Sequence, residues 1–196
     1  KEDTASYMME RYHMTDIAIR YVHGAISREA FRDILDKLFY FIRTRKEKEV
    51  TAEEYTKCAN ACYLDKVRER MELLKKQTIY PRLNEMVKAG TEFSDMDEIM
   101  EWYEKLYLKK QSEKVFRPLL VIGHGDLCFS NILYSEDASI LKLIDPRGAM
   151  SEDEMFVNPY YDVAKLSHSI CGNYDFFNSE LFEIVLKEGM QLGLLI

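Results

Sequence analysis

Residues 123–148 read GHGDLCFSNILYSEDASILKLIDPRG, and this stretch decides the predicted fold. A short apolar run, Leu119–Ile122, precedes it and predicts a buried strand that ends in a tight loop at Gly123. Two further β-prone runs, 132–134 and 140–144, are separated by five polar or small residues. Two short runs joined by such a loop predict an antiparallel hairpin.

The predicted hairpin brings polar residues together at one end. We expect Tyr134 to face Ile140 across the turn. Counting back along both strands then places Asn131 opposite Leu143, with Asp145 a residue or two beyond. An amide and a carboxylate are therefore expected at the same end of one hairpin.

A third polar residue, Asp126, lies on the loop that leads into this end of the hairpin. Magnesium prefers hard oxygen ligands and keeps several waters, so Asn131 and Asp145 can supply its protein ligands when substrate phosphates supply the rest. A carboxylate held nearby but off the metal can accept a proton from an attacking hydroxyl. Because positioning and charge neutralisation dominate phosphoryl transfer, the stretch predicts a site that handles phosphate.

The residues HGDLCFSN at 124–131 match the H-x-D-x-x-x-x-N catalytic loop of the protein-kinase-like fold. Gly125, where protein kinases usually have Arg, makes the loop similar to that of the aminoglycoside phosphotransferase and choline kinase group. IDPRG at 144–148 resembles the metal-binding aspartate segment of that group, and YDVAKL at 161–166 resembles the D-[LIV]-A segment of the next helix. Three motifs in this order make the resemblance specific, whereas H-x-D alone would be weak.

The resemblance implies a role for each matching residue. Asp126 is similar to the catalytic base, and His124 to the residue that orients the catalytic loop. Asn131 and Asp145 resemble the two magnesium ligands, which hold the metal-bound nucleotide phosphates. Asp162 resembles the aspartate that supports the loop structurally.

One departure from protein kinases follows Asp145, where PRG at 146–148 replaces Phe-Gly. This departure suggests that the mobile switch of those enzymes is not used here. Arg147 fits two interpretations, a contact with a phosphate or substrate carboxylate and a local ion pair, and the sequence does not separate them.

The resemblance implies an α+β, mainly α-helical fold, a kinase-like C-terminal lobe whose small β-hairpin carries the catalytic loop. It implies a kinase that uses ATP and Mg²⁺ and transfers the γ-phosphate to a hydroxyl of an amino sugar, amino alcohol or sugar. The N-terminal lobe of such enzymes has no counterpart here, and no G-x-G-x-x-G occurs. We therefore expect the activity in a larger parent protein that supplies this lobe, and little or no turnover by this piece alone.

Two other functions stay open. A non-catalytic kinase-like binding module, or pseudokinase fragment, would keep the fold without phosphate handling, although the joint presence of the base and both metal ligands favours the enzyme. A metal hydrolase would need further ligands at helical spacing. The remaining histidines, His13, His23 and His168, are scattered without such partners.

Composition bears on the partner classes. The net charge of −7 argues against nucleic acid, since binding a phosphate backbone needs clustered Lys and Arg, and it is mildly compatible with a cationic substrate. No run approaches the roughly 18 apolar residues of a membrane span. The N-terminus does not resemble a signal peptide, and the four cysteines form no C-x-x-C pair. A soluble cytoplasmic protein with a small-molecule substrate is predicted.

We predict a single domain over 1–196. Its predicted parts are a hinge strand and linker (1–16), a helical subdomain (17–115), the catalytic loop and metal-binding hairpin (119–148) and C-terminal helices (160–196). The strand at 6–12 can alternatively be an edge strand or the first turn of a helix. Caps followed by apolar stripes predict helices that start after Thr15 or Asp16, after Ser27, after Thr51 and after Ser94. Further helices are predicted at 83–88, from about 161, and last at 176–194.

Overall fold

The structure, a computed structural model, describes residues 8, 10–113, 117–186 and 192–196. The chain is α+β and about 54% helical, with small antiparallel sheets, which confirms the α+β, mainly helical part of the predicted fold class. No helix within the described ranges is long and apolar enough to cross a membrane.

The helices lie mostly in the first two thirds of the chain. In order, they are α1 (Ile17–Val22), α2 (Arg28–Thr44), α3 (Ala52–Asn60), a π-helical segment (Ala61–Asp65), α4 (Lys66–Lys75), α5 (Tyr80–Gly90), α6 (Met96–Glu113), a 3₁₀ turn (Phe129–Asn131), a second 3₁₀ turn (Asp153–Met155), α7 (Tyr161–Ile170) and α8 (Tyr174–Asn178).

The strands are short and antiparallel. In order, they are β1 (Thr15–Asp16), β2 (Glu47–Glu49), β3 (Leu119–Ile122), β4 (Ile132–Ser135), β5 (Ile140–Leu143), β6 (Phe156–Val157), β7 (Glu183–Leu186) and β8 (Leu192–Leu195). They pair in three sheets with the orders β1-β4-β5, β2-β3-β6 and β7-β8. The first two sheets flank the loop 123–131, so they fix both of its ends.

Three predicted helix starts are confirmed by capping bonds, whereas the helix predicted after Ser94 begins at Met96 and the one predicted at 83–88 begins at Tyr80. The Asp16 side chain accepts from the backbone N–H of Ile19, and Ser27 Oγ accepts from that of Ala30, each at 3.0 Å. Thr51 caps α3 with a capping box, in which its hydroxyl accepts from the backbone N–H of Glu54 and its own N–H donates to the Glu54 carboxylate. Each such cap contributes about 1 kcal/mol, which explains why local sequence locates these helices well.

The helix predicted after Thr51 is continuous but not uniform. α3 and α4 are joined without a break by the π-helical segment Ala61–Asp65. A π-helical turn is rare, and it is frequent at functional sites. Residues of this segment and of the start of α4 line the candidate site and the cavity beside it, both described below.

The core anchors the loop that resembles a catalytic loop. Leu127 and Phe129 are fully buried, and they pack with Ile34 and Leu38 of α2 and with Ile132 at the start of β4. Burial of side chains of this size contributes about 1.5–3 kcal/mol each. Apolar residues on alternate positions therefore hold the loop, while the polar residues between them are free to form a site.

The hairpin is confirmed, but the predicted register is wrong by one residue. Tyr134 pairs with Leu141 rather than with Ile140, because the connection retains four residues, 136–139, and Ser139 adopts a left-handed conformation with φ 48°. Asn131 is therefore adjacent to Ile144, whose N–H donates to the Asn131 carbonyl at 3.0 Å. Asp145 follows directly, closer to Asn131 than predicted.

Near the N-terminus, the hinge-strand prediction is not confirmed. Of the strand predicted at 6–12, residues 6, 7 and 9 lie outside the described residues, and residues 10–12 have no regular structure. The strand near this end is β1 (Thr15–Asp16), because the outer edge of β4 is available to pair with Thr15 and Asp16. The predicted helical subdomain, 17–115, also contains β2, which pairs with β3.

The predicted last helix, 176–194, is wrong. α8 ends at Asn178, and Glu180 adopts a left-handed conformation with φ 57°. The N–H of Leu181 donates to the Phe176 carbonyl at 2.9 Å, which closes the helix end as in a Schellman motif. β7 and β8 then pair antiparallel, and residues 187–191 of the predicted helix lie outside the described residues. The apolar residues that suggested a helix are therefore those of two strands.

An ion pair within α2 is hydrogen-bonded to the hairpin at its turn. Asp33 accepts hydrogen bonds from Tyr134 at 2.7 Å and Ser139 at 2.8 Å, and it pairs with Lys37. The hydrogen bond from the Lys37 ammonium, together with those from Tyr134 and Ser139, lowers the pKa of Asp33 from 3.8 to about 2. The carboxylate form of Asp33 is therefore the one that the fold stabilises.

Replacing Asp33 by Asn is expected to lower the free energy of unfolding at neutral pH, and the loss is expected to shrink in acid. A carboxylate with a lowered pKa stabilises the folded state above its unfolded pKa, 3.8, and this contribution is lost as pH falls through the folded value of about 2. Urea unfolding from neutral pH to about pH 3 measures it. Asp36→Asn, at an exposed position of α2, is the charge control. A loss of unfolding free energy that is as large in acid as at neutral pH would contradict the stabilising role of the Asp33 carboxylate.

Candidate functional site

The loop after β3 requires glycine at two positions. A Cβ on Gly123 would lie 2.8 Å from both Asp162 Oδ2 and Val157 Cγ2. Gly125 has φ +80°, and a Cβ there would lie 2.6 Å from the Cβ of Arg147. The loop therefore approaches α7 and the segment after β5 more closely than any residue with a side chain would allow.

Asp162 holds the loop from below. Its side chain is fully buried at the start of α7, and its two carboxylate oxygens accept from the backbone N–H groups of His124 at 3.0 Å and Gly125 at 2.9 Å. The predicted structural support thus contacts the loop directly. Its negative charge is buried together with a cation, Arg45.

Arg45 completes this buried pair, and sequence reasoning missed it. Its side chain is 4% exposed and lies 2.9 Å from Asp162 Oδ2. The guanidinium also donates to the carbonyls of Pro159 at 2.9 Å and Ile42 at 3.0 Å. No local signal in the sequence pairs Arg45 with a residue 117 positions later.

His124 is buried and uses both of its ring nitrogens inside the protein. Nε2 lies 2.9 Å from the Ile144 carbonyl, and Nδ1 accepts from the Asp126 N–H at 3.3 Å. A neutral ring with its proton on Nε2 satisfies both bonds. This geometry suits a residue that positions Asp126 and the segment after β5, rather than one that transfers a proton.

Asp126 lies at the mouth of the loop with its side chain 43% exposed. One carboxylate oxygen is 2.8 Å from Lys165 Nζ, and the other accepts from the Asn131 amide at 3.3 Å. The same amide donates to the Asp126 carbonyl at 2.9 Å. The carboxylate is therefore fixed on both sides and still accessible from solvent.

Lys165 was not identified from the sequence as a site residue. Burial lowers its pKa, but the hydrogen bond to Asp126 and that negative charge outweigh burial, so the net pKa is raised. The ammonium therefore stays charged at neutral pH. The sequence feature that could have identified Lys165 is its spacing from Asp162. Residues three apart share a helix face, and Asp162 contacts the loop.

Asp145 is exposed on an arch that is bonded at both ends. Ile144 donates to Asn131 and accepts from His124, and the Arg147 N–H donates to the His124 carbonyl at 2.8 Å. Asp145 itself adopts a left-handed conformation with φ 54°, which is uncommon for a residue other than glycine. Such strain persists only where surrounding bonds fix the backbone, and it is frequent at functional sites.

The predicted carboxylates converge on one open cleft of about 350 Å³. Asp126 and Asp145 both line it. Asn131 does not line the cleft but is bonded to Asp126, and His124 and Asp162 lie beneath the loop. Arg147, for which no ion pair is formed within the described residues, lines the cleft instead. The other lining residues are Lys66, Arg70, Gly125, Pro146, Tyr161 and Lys165.

The donor set fits a magnesium ion that is bound mainly by substrate. Asp145 offers a carboxylate, and because the Asn131 amide nitrogen is committed to Asp126, its oxygen is the atom that remains for a cation. Among the described residues, no group of three or more His, Cys, Asp or Glu could hold a metal ion by itself. Hard oxygens in such small number suit Mg²⁺, which keeps waters and phosphate oxygens as ligands.

Comparison of the chain with protein-family models, with characterised proteins and with solved structures found no match. The functional interpretation therefore depends on the geometry of the site and on the motifs that it contains.

Proposed function

We propose that the chain is the C-terminal lobe of a small-molecule kinase that uses ATP and Mg²⁺ and phosphorylates an alcohol group. The observation that carries the proposal is the arrangement of two carboxylates on one cleft: Asp126 is fixed and accessible, and Asp145 is held on a strained arch beside it. The acceptor would be an amino sugar, an amino alcohol or a sugar. We propose the cytoplasm as its location.

Asp126 is placed to accept the proton of the acceptor hydroxyl. As the hydroxyl oxygen bonds to the γ-phosphorus of ATP, the bond from that phosphorus to the bridging oxygen breaks and ADP leaves. The proton passes to the Asp126 carboxylate, whose orientation is fixed by Lys165 and Asn131. Asn131 and Asp145 would hold the magnesium ion, which neutralises phosphate charge when it is bound.

Lys165 has a second task in this scheme. Its ammonium is 2.8 Å from Asp126 and lines the same cleft. A cation at this position stabilises negative charge on the transferred phosphoryl group, a contribution that is large in a site with fixed geometry. The nucleotide clamp itself, a phosphate-covering loop and a second lysine, would come from an N-terminal lobe of the full-length protein.

The test is a coupled assay of ADP release by the full-length protein against a panel of hydroxylated amines, amino alcohols and sugars. We expect release that requires both Mg²⁺ and one class of acceptor, and that Asp145→Asn reduces strongly. Asp137→Asn, at an exposed position in the turn of the same hairpin, is the matched control. Retained ATP binding without ADP release for any acceptor would contradict the proposal and favour a non-catalytic binding module.

A further inference from the structure

We propose that the acceptor carries an anionic group, a phosphate or a carboxylate, which binds to Lys66, Arg70 and Arg147. We call these three residues the basic triad. The inference rests on the proposed function, because it specifies the acceptor of that same site. The acceptor class would then be a sugar phosphate or a sugar acid rather than a cationic amine.

The charge of the cleft is opposite to that of the chain. The net charge of the protein is −7, yet the basic triad and Lys165 contribute four cations to the cleft against the two carboxylates of Asp126 and Asp145. Lys165 is committed to Asp126 at 2.8 Å. The triad therefore leaves positive charge beside the carboxylates, which disfavours the cationic substrate that the overall composition permits.

The two arginines of α4 differ in a way that marks the cleft. Arg68 points away from it and is neutralised by Glu104, 2.6 Å away, and by Asp65 at 3.8 Å. Arg70 and Arg147 form no ion pair within the described part of the chain. A guanidinium offers a planar fork of donors that matches a phosphate or carboxylate, so two unpaired forks on one cleft suit an anionic group.

Lys66 is oriented by Tyr161 at the back of the cleft. Its ammonium donates to the Tyr161 hydroxyl at 3.2 Å and lies 5.8 Å from the centre of that ring. The Tyr161 hydroxyl and ring carry no negative charge, so Tyr161 positions the positive charge of Lys66 without neutralising it. Lys66 is the first residue of α4, directly after the π-helical segment, and it lines the cleft.

Two members of the basic triad also face a second cavity beside the cleft. Lys66, Arg147 and Tyr161 also line a neighbouring cavity of about 370 Å³, which the carboxylates of Asp126 and Asp145 do not reach. Metal-bound nucleotide phosphates would lie at Asp145, which does not line this second cavity, and Arg70 lines only the cleft. The rest of this cavity is formed by the π-helical segment and α4, with Ala61, Cys62, Asp65 and Glu69.

Cys62 supports a positive potential in this cavity. A hydrogen bond with Cys58 is the main cause that lowers the pKa of the Cys62 thiol, and the charges of Arg147 and Lys66 lower it further. These two cations favour a negative charge at the cavity wall, whereas burial raises the pKa of the Cys62 thiol and the carboxylates of Asp65 and Glu69 also line the cavity. An anionic substituent of a ligand would gain from the same field.

The test is a binding measurement without nucleotide, by isothermal titration calorimetry at low salt. Glucose 6-phosphate and glucuronate are the anionic probes, and glucose and glucosamine are the neutral and cationic ones. We expect at least one anionic probe to bind about tenfold or more tightly than glucose and glucosamine, and added salt to weaken it. Equal or tighter binding of glucosamine would overturn the proposal.

Variants assign the binding to the basic triad. Arg147→Gln and Lys66→Met are each expected to weaken the anionic probe about tenfold. Arg82→Gln and Lys88→Met, which remove exposed charges from α5, are the matched controls and are expected to leave the affinity within about twofold. Circular dichroism melts identify any variant that fails to fold. If one triad variant does not fold, the affinity of the other triad variant tests the assignment. Equal effects of triad and control variants would overturn the assignment.

Two further outcomes separate this inference from the kinase proposal. If ATP competes with glucose 6-phosphate and loses affinity equally in Arg147→Gln, the triad belongs to the nucleotide site and the inference is wrong, while the kinase proposal stands. If the anionic probe binds selectively but no acceptor supports ADP release by the full-length protein, the triad is an anion site, and the inferred acceptor fails together with the kinase.

Discussion

Replacing Asp126 by Asn in the full-length protein is expected to reduce kcat by about 10²–10⁴-fold, the range that a positioned general base contributes. Asparagine keeps the shape of the side chain and can still bond to Asn131, so the loop is expected to retain its conformation. It cannot accept a proton, and it removes the negative partner of Lys165. Initial rates of ADP release at saturating ATP and acceptor measure the effect.

The melting temperature of the Asp126→Asn variant is expected to stay within a few degrees of the wild type, because the Asp126 side chain is 43% exposed and its ion pair is only partly shielded from water. Asp137→Asn removes one carboxylate from the same hairpin and is expected to leave kcat unchanged. Turnover of Asp126→Asn within about twofold of wild type, with an unchanged melt, would remove Asp126 from the role of base.

The elements that sequence predicts well are those fixed by neighbouring residues. Ser27 and Thr51 locate the starts of α2 and α3 because each side chain bonds to a backbone N–H three residues later. The loop at 124–131 is identified by its motif, which also lies within a few residues, and the structure adds that Leu127 and Phe129 between the polar positions are buried. These helix starts are predictable because each capping residue and its partner lie within one turn of the chain.

The register error at Tyr134 has a different cause. The predicted pairing of Tyr134 with Ile140 leaves five residues in the turn, whereas Ser135 pairs with Ile140 and the observed turn has four residues and ends at the left-handed Ser139. One residue of slip exchanges the faces of a strand. The prediction that Asn131 and Asp145 share one end of the hairpin survives, because it depends on the sum of both strand lengths and tolerates a shift of one.

Interactions across the fold escape sequence reasoning for lack of any local signal. Asp126 and Lys165 lie on different elements, as do Arg45 and Asp162, and each pair forms only when α7 packs beneath the loop. The last hairpin escapes for a related reason. An apolar segment is compatible with a helix or with two strands. The helix is closed at Glu180 by a left-handed backbone conformation, which glutamate does not predict.

The buried pair between Arg45 and Asp162 gives the largest expected effect on stability. Replacing Arg45 by Met is expected to lower the free energy of unfolding by about 3–5 kcal/mol, because it leaves the Asp162 carboxylate buried without a cation. The Pro159 and Ile42 carbonyls also lose their donors. Urea unfolding of the chain, followed by circular dichroism, measures the loss as a lower midpoint with little change in slope.

Lys46 is the matched control, because it is the next residue and forms an ion pair with Glu152 whose side chains are 63% and 61% exposed. Lys46→Met is expected to cost less than about 1 kcal/mol. An apolar replacement of Asp162 as well as Arg45 is not expected to restore stability, since the N–H groups of His124 and Gly125 would then be buried without acceptors. Equal costs for Arg45→Met and Lys46→Met would show that Asp162 does not depend on its cation, and the loop would then be held by those two backbone bonds alone.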